Sequence, residues 1–452
     1  MQVENTGFSS KVADYIVASV NRQTREELYE HATLAFLDTI AVALYARNEP
    51  LVSKLKKQAF DLGGNPQATI LGSRNKVSVC QAALINGAMS HAVDYDDNLK
   101  DFMGHPSVCL VPSVLAIAEH RQLSGTDVLD SYLVGLEVGC WVSRSAGVEL
   151  YRRGFHGTSV IGRQASTGAC ARLLKLNKEQ TQYALGIAGT LANGVKQSFG
   201  TMCKPLHAGV AAEGGVQATT LAEDGFDSAL DIYEGKFGLN ATHHGENEPV
   251  EVDFLEGVHP VEKMEIKFHA ACLCVHGPIN AAQSILRKAE ASAEDIEKID
   301  VAIHQISMDN AGKTKLLTGL DGKFSTSYSV ANALVTGATG PQGYTDDAVT
   351  NPSVLELMGL TQVSVDPELN EEEVIKGRVK LHLKDGRVLT GESDPLKEIL
   401  QLPEKRERVI VKFNELCTPI FGEARTAELR SAILDLKKAH NVSEILSLCV
   451  AD

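Results

Sequence analysis

Residues 27–46, ELYEHATLAFLDTIAVALYA, set the character of the fold. Their apolar side chains recur at spacings of three and four residues, at Leu34, Leu37, Ile40, Ala41 and Leu44. That spacing collects them on one face of an α-helix. Comparable patterns follow one another from residue 9 to about 225, so we predict that this part of the chain is helix after helix.

Two of these predicted helices, 81–92 and 208–221, are rich in alanine and glycine. Small side chains let helix axes approach closely, so we expect both helices inside a packed bundle. Asn177 and Gln180 have the spacing of a capping box, in which each side chain satisfies a backbone amide of the other. They predict a helix that begins at Lys178.

The sequence pattern changes near residue 265. Residues 299–306 alternate between apolar and polar like a β-strand, and Asp385-Gly386 between two apolar runs predicts a β-hairpin. Helical patterns accompany these strands at 276–289, 293–299 and 327–336. Beyond Pro395 the helical patterns return, at 403–416 and 426–438.

These patterns predict a mostly α fold, and a chain of 452 residues is long enough for two domains. We expect residues 1–265 and 396–452 to form one large helical domain. Residues 266–395 are expected to form a smaller α+β domain inserted into it.

Composition and charge exclude several classes of function. The chain has 44% hydrophobic and 22% charged residues, as ordinary globular proteins do. Its formal net charge of −15 repels nucleic acid and anionic membranes, so we expect neither as a partner. An anionic substrate would need a cleft in which lysine, arginine and histidine side chains are gathered.

The sequence also predicts a cytoplasmic protein, or one of another reducing compartment. No stretch approaches the roughly 18–20 apolar residues that span a bilayer, and the N-terminus has no apolar signal core. Nine cysteines are scattered along a long chain, several of them in apolar helical patterns. This distribution is typical of reduced thiols.

Motifs for common cofactors are incomplete. Gly312-Lys313-Thr314 resembles the end of a phosphate-binding loop, but Ser307 occupies the position of its first glycine. No GxGxxG follows a predicted strand, which disfavours a nicotinamide or flavin site. The C-x-C-x-H spacing of residues 272–276 could hold a metal, but a matching second pair of ligands is missing. We therefore predict no cofactor and no metal.

Asp94-Tyr95-Asp96-Asp97 forms a DxDD cluster, which in helical terpenoid cyclases protonates an isoprenoid. Carbocation chemistry needs an aromatic-lined cavity, and this chain has 5% aromatic residues and one tryptophan. A terpenoid cyclase is therefore a remote alternative. Asp96 and Asp97 could instead cap a helix end.

Four predicted loop-to-helix junctions carry histidine or lysine: Gly104-His105-Pro106, Gly154-Phe155-His156-Gly157, Lys204-Pro205-Leu206-His207, and Lys267-Phe268-His269 with Cys272 and His276. A helix N-terminus beside a cationic side chain attracts carboxylates. Each junction alone could be structural. Brought together in a protein of strongly negative charge, they would form a site for a polyanion.

The same junctions resemble the MmgE/PrpD family, which includes 2-methylcitrate dehydratase, cis-aconitate decarboxylase and iminodisuccinate epimerase. The resemblance runs over essentially the whole chain. It is carried by AFLDTI at 35–40, INGA at 85–88, DYDD at 94–97, HPS at 105–107, GFH at 154–156, KPLHAG at 204–209, the stretch 267–276 and KFSTSY at 323–328.

The resemblance implies a helical domain made from both ends of the chain, a smaller α+β lid, a homodimer and no cofactor. It implies a site lined by Asp94, His105, His156, Lys204, Lys267 and Tyr328. Asn98 departs from the threonine common in decarboxylases, and Cys272 from the histidine of the animal enzymes. We predict that Asn98, Cys272 and His207 bind the substrate. The KPLH segment is unlike that of dedicated 2-methylcitrate dehydratases.

The activity implied is that of a lyase that transfers protons next to a carboxylate of a small di- or tricarboxylate, as a decarboxylase or dehydratase. An epimerase is the alternative, and non-enzymatic polycarboxylate binding is a remote one. Lys204, Lys267 and His156 are expected to neutralise the charge of the substrate.

His105 is the expected general acid/base, since an imidazole titrates close to neutral pH. Asp94 is expected to orient His105 or to carry a proton itself. Tyr328 is expected to supply a hydrogen bond or a second proton.

Overall fold

The computed structural model describes residues 7–244, 258–371, 374–398 and 400–451. They fall into two compact units. A helical unit contains Met1–Ala92, Asp96–Ile266 and Leu402–Asp452, and a mixed unit contains Val93–Tyr95 and Lys267–Gln401. The predicted mostly α fold is confirmed. The domain boundaries predicted above, and the role of residues 266–395 as a lid, stay predictions.

Ten α-helices open the helical unit: α1 (Phe8–Ala18), α2 (Glu26–Tyr45), α3 (Pro50–Leu62), α4 (Val79–His91), α5 (Ser107–Arg121), α6 (Gly125–Ala146), α7 (Glu149–Arg152), α8 (Gly157–Leu173), α9 (Lys178–Thr190) and α10 (Cys203–Glu223). Two antiparallel strand pairs accompany them, β1 (Ala68–Thr69) with β2 (Lys76–Val77) and β3 (Asp97–Asn98) with β4 (Glu265–Ile266).

Small residues bring the central helices together. All 17 residues of α8 are buried, as expected for a helix surrounded by other helices. A Cβ atom on Gly87 of α4 would lie 2.9 Å from the Cα of Gly209 in α10, and one on Gly209 would lie 2.2 Å from the carbonyl oxygen of Leu84. Contact between α4 and α10 therefore requires glycine at both positions, which confirms the packing predicted from their composition.

The capping box predicted at the start of α9 is confirmed. Asn177 Oδ1 accepts the backbone N–H of Gln180 at 3.0 Å, and Gln180 Oε1 accepts that of Asn177 at 3.1 Å.

The described residues of the mixed unit form five α-helices and a four-stranded sheet. The helices are α11 (His276–Lys288), α12 (Gln305–Ala311), α13 (Gly319–Gly322), α14 (Thr326–Val335) and α15 (Pro352–Gly359). The strands are β5 (Ile296–Ile303), β6 (Thr361–Val365), β7 (Gly377–Leu383) and β8 (Val388–Ser393), in the order β6-β5-β7-β8. Only the β5–β6 pair among these is parallel.

The predicted hairpin is confirmed as β7 and β8, with Gly386 at φ +89° in the turn. The helix predicted at 293–299 is wrong. Residues 293–295 make one 3₁₀ turn, and the chain then enters β5. Pairing of Ile299 with Leu381 in β7 and Thr361 in β6 outweighs the local helical pattern.

The chain returns to the helical unit as α16 (Leu402–Leu434) and α17 (Ser443–Leu448). Gly422 interrupts α16 with φ +73°, a conformation that glycine adopts without steric cost. α16 packs against α2, where Lys412 and Asp38 form a buried ion pair of 2.6 Å. In the described part of the chain, no helix is both long enough and apolar enough to cross a bilayer.

Candidate active site

The backbone at His105 packs closely against the start of α8. Its backbone N–H donates to Thr158 Oγ1 at 3.1 Å. A Cβ atom on the preceding Gly104 would lie 2.7 Å from the backbone nitrogen of Thr158, so glycine is needed there. Pro106 then leads directly into α5. The GHP sequence thus fixes the backbone of His105 at the start of a helix.

A carboxylate lies between His105 and a second histidine. His91, the last residue of α4, places Nδ1 2.9 Å from Asp96 Oδ1. His105 Nδ1 lies 3.1 Å from Asp96 Oδ2 and 2.7 Å from the carbonyl oxygen of Asp97. The side chains of His91 and Asp96 are fully buried, and 11% of the His105 side chain is exposed.

The burial of these three groups sets their charges. Burial alone would raise the pKa of Asp96, but the two imidazoles outweigh it and hold that pKa well below its usual value. Burial lowers the pKa of His91 to about 4, although Asp96 opposes this change. Asp96 is therefore ionised and His91 neutral at pH 7.

A second pair of histidines joins α8 to α10. His156 immediately precedes α8, and its Nδ1 lies 3.0 Å from Nδ1 of His207 in the first turns of α10. Lys204 lies three residues before His207, on the same face of that helix, and is also buried. Burial and the charge of Lys204 hold the pKa of His156 well below its usual value, so its ring is neutral at pH 7.

Ring contacts connect the two pairs. The ring centroid of His91 lies 4.5 Å from that of His105 and 6.4 Å from that of His156, which in turn lies 5.3 Å from that of His207. We use the term histidine cluster for these four residues together with Asp96 and Lys204. Neutral imidazoles in such a cluster gain protons when an anion approaches.

Asp96 and Asp97, which are adjacent in the sequence, make different contacts. Asp97 Oδ1 accepts the backbone N–H of Ser107 at 3.2 Å, so Asp97 caps the start of α5, as one alternative expected. Burial raises the pKa of Asp97 to about 8. For Asp96, the capping alternative is wrong, because its carboxylate faces two imidazoles. Asn98, a predicted substrate-binding residue, lies in β3 opposite Glu265.

Asp94 belongs to the mixed unit, where its carboxylate is ion-paired with the buried ammonium of Lys267. Lys267 Nζ also donates to the backbone oxygen of Asp94 at 3.3 Å. Asp94 has φ +54°, a left-handed conformation that non-glycine residues seldom adopt. Within the helical unit, the carboxylate that lies beside His105 is that of Asp96, and the expected roles of Asp94 stay predictions.

Tyr328, in α14, is buried, and its hydroxyl donates to the carbonyl oxygen of Gly343 at 2.8 Å. Burial raises its pKa to about 12. Proton donation by Tyr328 to a substrate would require this hydrogen bond to break, and its role stays a prediction.

Cys272, Cys274 and His276 lie at the start of α11. Cys272 is half-buried, and its backbone N–H donates to the carbonyl oxygen of Lys323. A hydrogen bond from Cys272 is the main cause that lowers the pKa of Cys274 to about 7. His276 is buried with Nε2 3.3 Å from the carbonyl oxygen of Ala271. The predicted substrate-binding role of Cys272 is left untested by these contacts.

His91, Asp96 and His105 are also the described residues whose potential metal-ligand atoms lie within 4.8 Å of one another. Ligation through Nδ1 requires that atom to be free of hydrogen. His105 Nδ1 faces the carbonyl oxygen of Asp97, which can only accept a hydrogen bond, so this nitrogen carries hydrogen. The arrangement favours hydrogen bonding over metal binding.

Sequence reasoning missed His91 and the pairing of Asp96. A signal was present, since His91 ends the alanine-containing helix just before the acid cluster and stands five residues before Asp96. The choice among the three acids could not be made from spacing, because each is within reach of several partners.

Comparison with known proteins identifies two models of one family that together cover most of the chain. Sequence models of the MmgE/PrpD N-terminal and C-terminal domains match residues 10–251 and 269–438. A cis-aconitate decarboxylase of Aspergillus terreus is 25% identical over 470 residues, covering 98% of this chain and 96% of the relative. The cis-aconitate decarboxylase of Mus musculus is 25% identical over 428 residues, covering 91% and 87%. That of Homo sapiens is 22% identical over 437 residues, covering 94% and 90%.

Proposed function

This chain belongs to the MmgE/PrpD family, and from that premise we propose that it is a lyase acting on a small di- or tricarboxylate, with cis-aconitate as the first candidate substrate. The observation that carries the proposal is the histidine cluster. It presents one positioned imidazole, His105, beside a buried lysine and a second histidine pair.

The chemistry proposed is decarboxylation with a shift of the double bond. The bond to one carboxylate breaks and carbon dioxide leaves. The electron pair moves through the double bond to the carbon next to another carboxylate, and that carbon takes a proton. The charge that develops on the way resembles an enolate and must be stabilised by fixed positive groups.

Lys204 and His156 are the groups of the helical unit suited to that stabilisation. Lys204 carries a positive charge in a buried setting, where electrostatic attraction is stronger than in water. His156 is neutral in the free protein, and an anion beside it favours its protonated form. Binding of a polycarboxylate would therefore favour protonation of His156, which places a further positive charge beside the bound anion.

His105 is proposed as the proton donor. Its Nδ1 is bonded to the carbonyl oxygen of Asp97, so Nε2 is the nitrogen available to exchange a proton with the substrate. Loss of water from a hydroxy acid would use the same donor on the departing hydroxyl group. The roles of Asp94, Lys267, Tyr328, Asn98 and Cys272, a homodimer and a cytoplasmic location stay predictions.

A substrate screen in deuterated water tests the proposal. The protein is incubated separately with cis-aconitate, 2-methylcitrate and iminodisuccinate, and NMR follows each mixture, with His105→Gln protein as the control. Loss of carbon dioxide with one deuterium in the product, or loss of water, supports a lyase. Deuterium exchange at the α carbon of iminodisuccinate with inversion would replace the lyase by an epimerase. Inertness toward all three would sink the proposal.

A further inference from the structure

Asp96 has a position that a capping or surface aspartate does not have. It is fully buried, and its two carboxylate oxygens face two different imidazoles, His91 at 2.9 Å and His105 at 3.1 Å. Capping of α5 is done by its neighbour Asp97 through Ser107. Among the described residues, the partners of this buried carboxylate are imidazoles and not a backbone amide or an arginine, so its position needs another reason.

The hydrogen positions follow from the acceptors. The carbonyl oxygen of Asp97 only accepts, so His105 carries its hydrogen on Nδ1. Ionised Asp96 also only accepts, so His91 carries its hydrogen on Nδ1. Nε2 of His91 is buried without a hydrogen-bond partner in the described part of the protein, which leaves the bond to Asp96 as the one polar contact its ring makes there.

We propose that Asp96 and His91 are positioning residues for His105: Asp96 supplies the fixed negative charge that stabilises the protonated ring, and His91 holds the Asp96 carboxylate in place. This inference rests on the proposed function, because it assigns the source of proton affinity in the proposed donor. An acid beside a catalytic histidine acts in the same way in other enzymes: the acid stabilises the imidazolium without taking its proton.

The groups that face this arrangement come from several elements. They are His91 on α4, Asp97 on β3, Cys109 on α5, His156 before α8 and Lys204 on α10, with Asp38 of α2 beyond Asp97. The positive charge of Lys204 disfavours protonation of the rings near it. The negative charge of Asp96 favours their protonation and so counteracts Lys204. Without the charge of Asp96, the charge of Lys204 near His91, His156 and His207 would lack that opposing charge.

Asp96→Asn tests the charge of the carboxylate while keeping its shape. We expect turnover to fall by about 10²–10⁴-fold with a small change in KM. The limb of the pH–rate profile that reports His105 is expected to move to lower pH. A purely structural Asp96 would lower the melting temperature and leave the position of that limb unchanged.

His91 allows a matched pair of variants. His91→Asn keeps an N–H donor near the position of Nδ1, and His91→Phe removes it while filling the space. We expect turnover in the asparagine variant to exceed that in the phenylalanine variant by about tenfold or more, since one hydrogen bond to a charged group is worth roughly 1.5–3 kcal/mol. Equal activity in the two variants would overturn the role of His91.

NMR of ¹⁵N-labelled histidine separates this inference from the proposed function, because it needs no substrate. Wild-type His105 should show hydrogen on Nδ1, and its titration should move to lower pH in Asp96→Asn. If these effects appear in a protein inert toward all three polycarboxylates, only the proposed function fails. If the wild type is active and Asp96→Asn shifts neither profile, the inference fails. Stoichiometric zinc bound by the wild type and lost in Asp96→Asn would also overturn it, in favour of a metal site.

Discussion

The Nδ1 atoms of His156 and His207 lie 3.0 Å apart, so the two rings share a single hydrogen, with His156 buried and His207 half-buried. Burial and Lys204 keep the pKa of both rings below the usual value of histidine. Since a bound anion raises those pKa values, binding of a polycarboxylate at pH 7 should take up protons, up to about one for this pair.

Calorimetry in two buffers with different ionisation enthalpies measures this uptake. His207→Leu should reduce it, and His440→Gln, which changes an exposed histidine, should not. Identical binding heats in both buffers for the wild type would contradict the prediction.

His105→Gln should keep the fold and much of the binding but lower turnover by about 10²–10⁴-fold, because glutamine cannot exchange a proton with the substrate near neutral pH. Melting temperature is measured beside turnover, with the exposed His120→Gln as the control at the other end of α5. A destabilised variant with near-normal turnover would assign His105 a structural role and leave the proton to another residue.

Lys204→Met should raise KM by about 10- to 100-fold, since it removes a charge-assisted contact to carboxylate worth roughly 1.5–3 kcal/mol. The methionine side chain has nearly the same length, so the packing of the buried position is largely kept. Lys11→Met, at an exposed position of α1, is the matched control and should leave KM unchanged. Unaltered KM in Lys204→Met would remove this lysine from the proposed site.

Lys412→Met should lower the free energy of unfolding by about 3–5 kcal/mol, because it leaves the carboxylate of Asp38 buried without its partner. The two side chains are 2% and 1% exposed and lie 2.6 Å apart. Denaturant unfolding measures the change, and Asp38→Asn/Lys412→Met should recover most of it. Lys437→Met, which breaks an exposed pair with Glu26, should cost about 1 kcal/mol or less.

Asp97→Asn should change how stability depends on pH. Burial raises the pKa of Asp97 to about 8 in the folded protein, against about 3.9 in an unfolded chain. The favourable contribution of the neutral carboxyl is thus complete below pH 4 and is lost as the pH rises toward 8. Relative to the wild type, the variant should therefore gain stability as the pH rises from 5 to 9, measured by urea unfolding. The exposed Asp227→Asn should show no such trend.

Features that depend on near neighbours in the chain were predicted well. The capping box of Asn177 and Gln180 and the turn at Gly386 each involve residues a few positions apart. Helical periodicity likewise identified the long helix of residues 27–46, which the structure has as Glu26–Tyr45. The failure at 293–299 is of another kind, since Ile299 becomes part of a strand only by pairing with Leu381 and Thr361, far along the chain.

The candidate site also combines features set by near neighbours in the chain with features set by distant contacts. Sequence by itself determined which junctions carry histidine and lysine, because GHP, GFH and KPLH each place such a side chain at a helix start. It could not determine which of three nearby acids faces His105, since Asp94, Asp96 and Asp97 are the same residue type within four positions.

Only the tertiary structure decided that choice. Asp94 adopts φ +54° and pairs with Lys267, 173 residues away, while Asp97 caps α5 through Ser107. Asp96 is left facing His91 and His105. Partner choice among identical side chains depends on where distant segments are buried together, and that is fixed by the packing of the whole unit rather than by local chain geometry.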